Sequence, residues 1–389
     1  MNPEHFQNSP TGELVPIGQN ENPCFAFVPK PLAPALQLDT EIVCTLSEAD
    51  RALGELAGLG RTMPNPNLLI RPFIRREAVL SSRIEGTQAD IANLYAYETG
   101  QLTLPGIVPP PPESDVKEVL NYVRTLEYGL ERLNTLPVCK RLMCELHERL
   151  VDGVRGETAT PGEFRRLQNW IGSHGRSMND ARFIPPPVPE MLGCLDELES
   201  YLNSDCAYPP LIRIGLIHYQ FETIHPFLDG NGRIGRLLIS LLLLSWNLLP
   251  LPLLYLSAFF ERHRQDYYEL LLGVSQRGAW RDWLLFFLRG VTEQSRDAVV
   301  RAKRLQDLQL EWRQLLTQAR ASALVPRLAD SLFESPVLTI PNAQAILDVS
   351  YRSAQQNVEK LVNAGILVQA GEASYNKVFL APEVLKIIG

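Results

Sequence analysis

Apolar residues recur at helical spacing over most of the chain, so the pattern predicts a mainly α protein. Helices are expected over 36–59, 71–86, 116–133, 139–151, 191–201, 211–223 and 237–246, with shorter pieces over 255–263 and 267–274. Trp280 opens a further apolar helix that runs into a long charged one, 292–321, with the look of a connecting element. Three regions break the rhythm. Residues 1 to about 35 are rich in Pro and Asn and predict an extended arm. A Pro-rich break covers 105–112. Within 161–189, two short extended segments flank a polar loop and lead into three prolines, which predicts a hairpin. Local signals mark two helix ends. Ser47 with Asp50 resembles a capping box, and Pro72 and Gly86 bracket the second helix.

A length of 389 residues suggests two or three domains, here 1–112, 113–290 and 322–389, with 291–321 as connector. Hydrophobic residues at 45% and charged ones at 21% are ordinary for a globular protein. The net charge of -7 argues against a general nucleic-acid or membrane-surface binder, although a local basic patch is compatible with it. Six cysteines form no CxxC pair and no zinc spacing, and residues 1–10 are polar with no secretory signal. Reduced thiols in a cytoplasmic protein are the expectation. The run 237–256 approaches bilayer-spanning length, but Asn247, Pro250 and Pro252 interrupt it. A buried helix, a turn and another buried element are expected in its place, with no membrane span.

Candidate chemistry concentrates in 225–236. Pro226 pushes His225 out of helical geometry, so a helix ends there, and Gly230-Asn231-Gly232 falls where the next one starts. A helix N-terminus offers free amides and partial positive charge, and glycines let a phosphate approach closely. Arg233 and Arg236, three apart, share a helix face, and each guanidinium can grip phosphate oxygens. Asp229 is a hard ligand suited to Mg2+, and His225 suits a general base. Triphosphate chemistry follows from the set. Elsewhere, Ser81, Glu85 and Gly86 read alone as a commonplace helix end.

The 225–236 stretch resembles the Fic signature HPFx[DE]GNGRxxR at every specified position. The resemblance implies a helical Fic-fold core with a short β-hairpin flap, and transfer of AMP from ATP to Ser, Thr or Tyr hydroxyls of target proteins. It makes His225 the base and Asp229 the Mg2+ ligand. Gly230, Asn231 and Gly232 become an anion hole and Arg233 and Arg236 the phosphate ligands, with Ile234 and Gly235 completing the nucleotide-binding turn. Gly232 and the final arginine separate this chain from related kinases and phosphocholine transferases. Ser81-x-x-x-Glu85-Gly86 then resembles the family's inhibitory motif, in which Glu85 pairs with Arg236 and leaves ATP bound unproductively. The hairpin resembles the flap, with Phe183 and Ile184 over the nucleotide and the protein substrate docking along 168–187 as an added strand. Tyr267 and Tyr268 correspond to residues bordering the adenine.

The last seventy residues fit a winged-helix plan, with helices 324–333, 340–347 and 353–362 and strands 366–369 and 377–380 across Gly371. Six basic and six acidic residues lie between Arg320 and Gly389, which favours an interaction or dimerisation module over a DNA reader. A homodimer and self-modification are compatible with the resemblance. Other readings stay open: an ATP-sensing transcriptional regulator, a transferase using another nucleotide donor, or hydrolytic removal of AMP with Glu85 positioning water.

Overall fold

The computed structural model describes residues 1–18, 24–62, 66–99, 111–172, 178–319, 322–371 and 377–389. Among these, the helices in chain order are α1 (Thr40–Thr62), α2 (Asn67–Ile84), α3 (Ile91–Glu98), α4 (Glu113–Arg132), α5 (Lys140–Leu150), α6 (Val188–Leu202), α7 (Pro210–Ile224), α8 (Asn231–Ser245), α9 (Ser257–Arg262), α10 (Arg264–Arg277), α11 (Trp280–Gln318), α12 (Leu324–Ser331), α13 (Ile340–Leu347), α14 (Tyr351–Asn363) and α15 (Pro382–Ile388). The strands are β1 (Gly12–Ile17), β2 (Cys24–Pro29), β3 (Val337–Thr339), β4 (Val368–Ala370) and β5 (Val378–Leu380). Most of the Pro-rich break falls outside the described residues.

Helices α7 and α8 are apolar nearly all round and lie at the centre, as such helices must to stay out of water. Their junction is the 225–236 loop. After α8, the left-handed Asn247 turns the chain into an irregular but buried stretch that includes Leu249, Leu253 and Leu254. No helix among the described residues is long and apolar enough to cross a membrane. No disulfide joins any of the six cysteines among the described residues.

Three sequence expectations are corrected. The N-terminal arm is a hairpin, with β1 and β2 paired antiparallel from Gly12 opposite Pro29 to Ile17 opposite Cys24. Phe27 on β2 packs with Phe6, so three-dimensional contact supplies the core that the local pattern hid. Ser47 and Asp50 lie inside α1. The true cap is Asp39, whose Oδ1 accepts the Ile42 amide at 2.9 Å. Finally, the apolar and charged stretches after Trp280 are one helix, and α11 runs unbroken through the boundary expected at 290. It packs on α1 in parallel, with Arg289–Glu41, Arg296–Glu48 and Lys303–Glu55 pairs climbing both helices at seven-residue steps.

Beyond α11, α12 is followed by β3, α13, α14, β4 and β5, and the three strands form an antiparallel sheet in the order β3-β5-β4. Strand β3 and helix α15 were not foreseen, because segments of three and seven residues carry too little periodicity.

Candidate active site

Helix α7 ends at His225, which takes φ 49° and ψ 61°, a left-handed conformation that costs a side-chain-bearing residue about 1–2 kcal/mol. The surroundings hold it there. The His225 carbonyl accepts from Arg165 Nε at 3.0 Å and from Asn169 Nδ2 at 3.2 Å. The Pro226 carbonyl accepts the Arg165 amide at 2.9 Å. The Phe227 carbonyl accepts from Asn169 and Asn231 at 2.9 and 2.7 Å, while Asn231 Oδ1 takes the Phe227 amide at 2.8 Å. Asn231 therefore clamps the loop around itself. His147 stacks on the Phe227 ring at 3.9 Å and meets the Asp229 carbonyl through Nε2, its Nδ1 accepting the Gly162 amide.

On the imidazole of His225, Nδ1 lies 3.2 Å from the Glu222 carbonyl. A carbonyl can only accept, so Nδ1 carries the proton and Nε2 keeps its lone pair. Burial, reinforced by the Arg165 guanidinium, pushes the group down to about 4, leaving it neutral at pH 7. A neutral imidazole with a free Nε2 can accept a proton from a hydroxyl brought to it.

Gly230 caps α8 with φ 79°. Over the first turn of α8 sits a carboxylate from α2. Arg236 donates to Glu85 Oε1 at 2.7 Å, to Ser81 Oγ at 2.9 Å and to the Ser81 carbonyl at 2.9 Å. Burial works against the charge on Arg236, but Glu85 outweighs it and raises its pKa; burial likewise opposes the charge on Glu85, and Arg236 lowers its pKa. A Cβ on Gly232 would stand 2.4 Å from Glu85 Oε1, so the carboxylate needs a glycine at that position. Gly86, at φ 104°, ends the segment.

Arg233, three residues away, is fully buried and is held by Glu118 at 3.1 Å, with Asp229 at 3.7 Å. Asp229 is half-exposed, its Oδ2 facing Arg155 Nε at 3.6 Å. Among the described residues no group of three or more His, Cys, Asp or Glu could hold a metal by itself. A lone half-exposed carboxylate beside a helix N-terminus fits Mg2+ of the kind that completes its shell with substrate phosphates and water.

The structure thus brings His225, Asp229, Gly230, Asn231, Gly232, Arg233, Arg236, Glu85, Ser81 and Gly86 to one place. It separates others from it. Ile234 is fully buried in the core, and Gly235 faces Glu222, whose Oε1 would lie 2.3 Å from a Cβ there. Phe183 packs with Phe6 and Phe27, and Ile184 with Ala26, because the N-terminal hairpin reaches over them and β2 bonds the Ile184 carbonyl through the Phe27 amide. Tyr267 is buried with its hydroxyl on His218 Nε2 at 2.8 Å, whereas Tyr268 is half-buried, and both are close enough to feel Glu85 and Arg236. Among the described residues the expected flap hairpin is a single bridge, Ile171 to Phe183, and residues 173–177 lie outside them.

Sequence reasoning missed Arg165, Asn169, His147, Glu118 and Glu222. A hydrophilic residue in an otherwise ordinary stretch gives no sign that it is buried, and Arg165 is 1% exposed. Burial pushes the Glu222 carboxyl up to about 7, opposed by Arg236 and aided by Glu85.

The chain matches two family models, "Fic/DOC family N-terminal" over residues 43–131 and "Fic/DOC family" over residues 137–243. Together they take in just over half of it. Proteins named "Protein adenylyltransferase Fic" from Aedes aegypti and Culex quinquefasciatus are 33% and 32% identical over 158 and 160 residues. Those stretches are 39% and 40% of this chain but only 27% and 28% of the relatives. Similar solved structures include a Fic family protein from Desulfovibrio desulfuricans G20, at TM-score 0.57, 21% identity and coverage of 90% of this chain and 98% of that one. A Fic domain containing signaling protein from Bacteroides thetaiotaomicron follows at TM-score 0.52, 18% identity and coverage of 67% and 96%. At such identities the likeness concerns the fold. Two adjoining models, one spanning Glu85 and the other spanning the His225–Arg236 loop, agree with the geometry, and the chain belongs to the Fic/DOC family.

Proposed function

We propose that this protein transfers AMP from ATP to hydroxyl side chains of target proteins, and that Glu85 restrains the reaction. The observation that carries the reading is the Glu85 carboxylate on Arg236 over the α8 N-terminus. Free amides, a helix dipole and a buried arginine form a site for an anion, and Glu85 stands in for phosphate oxygens there. While it stays, a triphosphate loses one ligand and meets like charge.

With Glu85 displaced, Arg236, Arg233 and the amides of 231–233 would bind the triphosphate and stabilise charge on the phosphoryl group. Asp229 would hold Mg2+, which when bound neutralises phosphate charge and orients the chain of phosphates. His225 Nε2 would take the hydroxyl proton as the oxygen attacks the α-phosphorus and pyrophosphate departs. Leu167, Trp170 and Ile171 expose apolar surface at 67%, 42% and 36% along the flap, which supports docking of an extended peptide there. The order helix, strand, two helices, two strands after α11 supports a winged-helix reading, and its balanced charge favours a protein partner.

The test uses purified wild type, Glu85→Gly and Glu85→Gly/His225→Ala with Mg2+ and ATP labelled at the α- or γ-phosphate. Label from the α-position only, strongest in Glu85→Gly and absent in the double variant, is the expected result. Label from the γ-position alone would mean a kinase, and none from either would remove ATP as donor.

A further inference from the structure

Among the described residues, the one buried arginine of this region that no phosphate-binding role absorbs is Arg165. It is 1% exposed, and among the described residues no carboxylate pairs with it. A charge kept out of water with no counter-ion is costly, so it needs compensation from hydrogen bonds. Arg165 obtains that compensation wholly from backbone carbonyls. Nε donates to His225 at 3.0 Å, Nη1 to Leu167 at 3.2 Å and Nη2 to Pro186, while its own amide bonds the Pro226 carbonyl at 2.9 Å.

These acceptors belong to three separate places. His225 and Pro226 carry the base, Leu167 opens the outgoing arm of the flap, and Pro186 closes the returning arm. The Ile171–Phe183 bridge lies between the two arms, so the guanidinium ties their feet together below it. Gln168 adds a brace from Nε2 to the Pro185 carbonyl at 2.9 Å. The planar fork spreads its donors over three nitrogens that point in different directions, so it can serve three separated carbonyls at once.

We infer that Arg165 is a positioning residue that registers the flap to His225, so that a hydroxyl presented by a peptide on the flap arrives at Nε2. The inference rests on the AMP-transfer reading for its activity readout. It touches neither substrate nor phosphate and acts through the base and the flap. A second consequence is electrostatic. The positive charge under His225 opposes protonation of the imidazole, adding to burial. Burial pushes Arg165 itself down only to about 10, so it remains a cation at neutral pH.

The experiment compares full-length Glu85→Gly with Glu85→Gly/Arg165→Gln and Glu85→Gly/Arg165→Lys. Four quantities are read: thermal unfolding, ATP binding, AMP transfer to protein, and the titration of His225 by NMR. Arg165→Gln is expected to bind ATP within about threefold while transfer falls about 100-fold, the loss typical of a small misplacement of reacting groups. The His225 titration should move to higher pH, since a lowering charge has gone. Arg165→Lys keeps the charge but gathers its donors on one nitrogen, which cannot reach carbonyls at His225, Leu167 and Pro186 together. Its His225 titration should stay put while transfer remains low.

Parallel loss of folding, ATP binding and transfer would reduce Arg165 to a scaffold residue and overturn the inference. So would unchanged transfer with an unmoved His225 titration. If Glu85→Gly itself transfers no AMP, the AMP-transfer reading fails first. The two substitutions then still decide the Arg165 inference by the His225 titration and by amide exchange at Ile171 and Phe183, which must speed up in Arg165→Gln and would sink the inference by staying slow.

Discussion

The His225–Arg236 loop and the flap beside it are built on opposite plans. In the loop, three consecutive carbonyls are each gripped by named side-chain or backbone donors, and Asn231 spends both ends of its amide on Phe227. In the flap, the described residues share one bridge and leave Leu167, Trp170 and Ile171 in water. The rigid part is where a proton and a phosphoryl group must be placed to a fraction of an ångström. The loosely paired part is where the proposed reaction meets proteins of varied sequence. Preorganisation is concentrated on the chemistry, and the recognition strand is left with open edges.

The largest effect expected along this contrast is on the rigid side. His225→Ala in the Glu85→Gly background should lower AMP transfer about 1000-fold with ATP binding retained, measured by α-labelled transfer against calorimetric binding. Retained transfer would remove His225 as the base. Removing the brake comes next. Glu85→Gly should raise transfer by about 30- to 150-fold, as breaking a buried charged hydrogen bond of about 2–3 kcal/mol implies, and equal rates would refute the restraint. The pH profile of that variant sharpens the assignment. His225 sits near 4, so rates should hold from pH 7 to about 5 and fall only below that, where an unperturbed imidazole would already be losing activity near 6.5. Glu85 normally raises the His225 value, so its removal shifts the acidic limb further down, not up.

Asn231→Ala opens the clamp and should cost about 2–3 kcal/mol in urea unfolding, because it removes two buried hydrogen bonds and leaves the Phe227 amide without its acceptor, while the carbonyl keeps Asn169. The smallest effect belongs to the flap. Trp170→Ala should change stability by no more than about 0.5 kcal/mol, yet lower transfer to a protein target several-fold while ATP binding is untouched. A stability loss as large as that of Asn231→Ala would mean the flap is as fixed as the loop, and the contrast would fail.

The same contrast explains what could be read from the sequence. The loop is legible because its elements are local: Pro226 ends one helix, Gly230 begins the next, and the spacing of Arg233 and Arg236 fixes their common face. The Ser81–Glu85 spacing was legible only beside the loop, since nothing in a helix end says which arginine it will meet. Arg165 and Asn169 were invisible because the loop partner they share, His225, lies 60 and 56 residues away and is met through its carbonyl, which every residue possesses. Phe183 was assigned to the nucleotide because its alternative partners, Phe6 and Phe27, sat in a segment that looked unstructured. Tyr267 looked like its neighbour Tyr268, and only the packing of α10 against His218 sends one inward and leaves the other at the site's edge.

Helix α11 has a metric consequence. Its 39 residues make a rod on the order of 58 Å long at about 1.5 Å per residue. Trp283 anchors one end in the central core, and Trp312 packs on Phe333 of the C-terminal unit with ring centroids 5.0 Å apart near the other. Its single glycine, Gly290, is packed against the Phe259 ring and offers no joint. A further tie, Arg71 to Glu334 at 2.8 Å, spans from α2 to the same unit. The C-terminal unit is therefore mounted at a set distance from the His225 loop and is not tethered. Anything seated on it would meet the active site as if held against a ruler, and molecules of the wrong reach would miss.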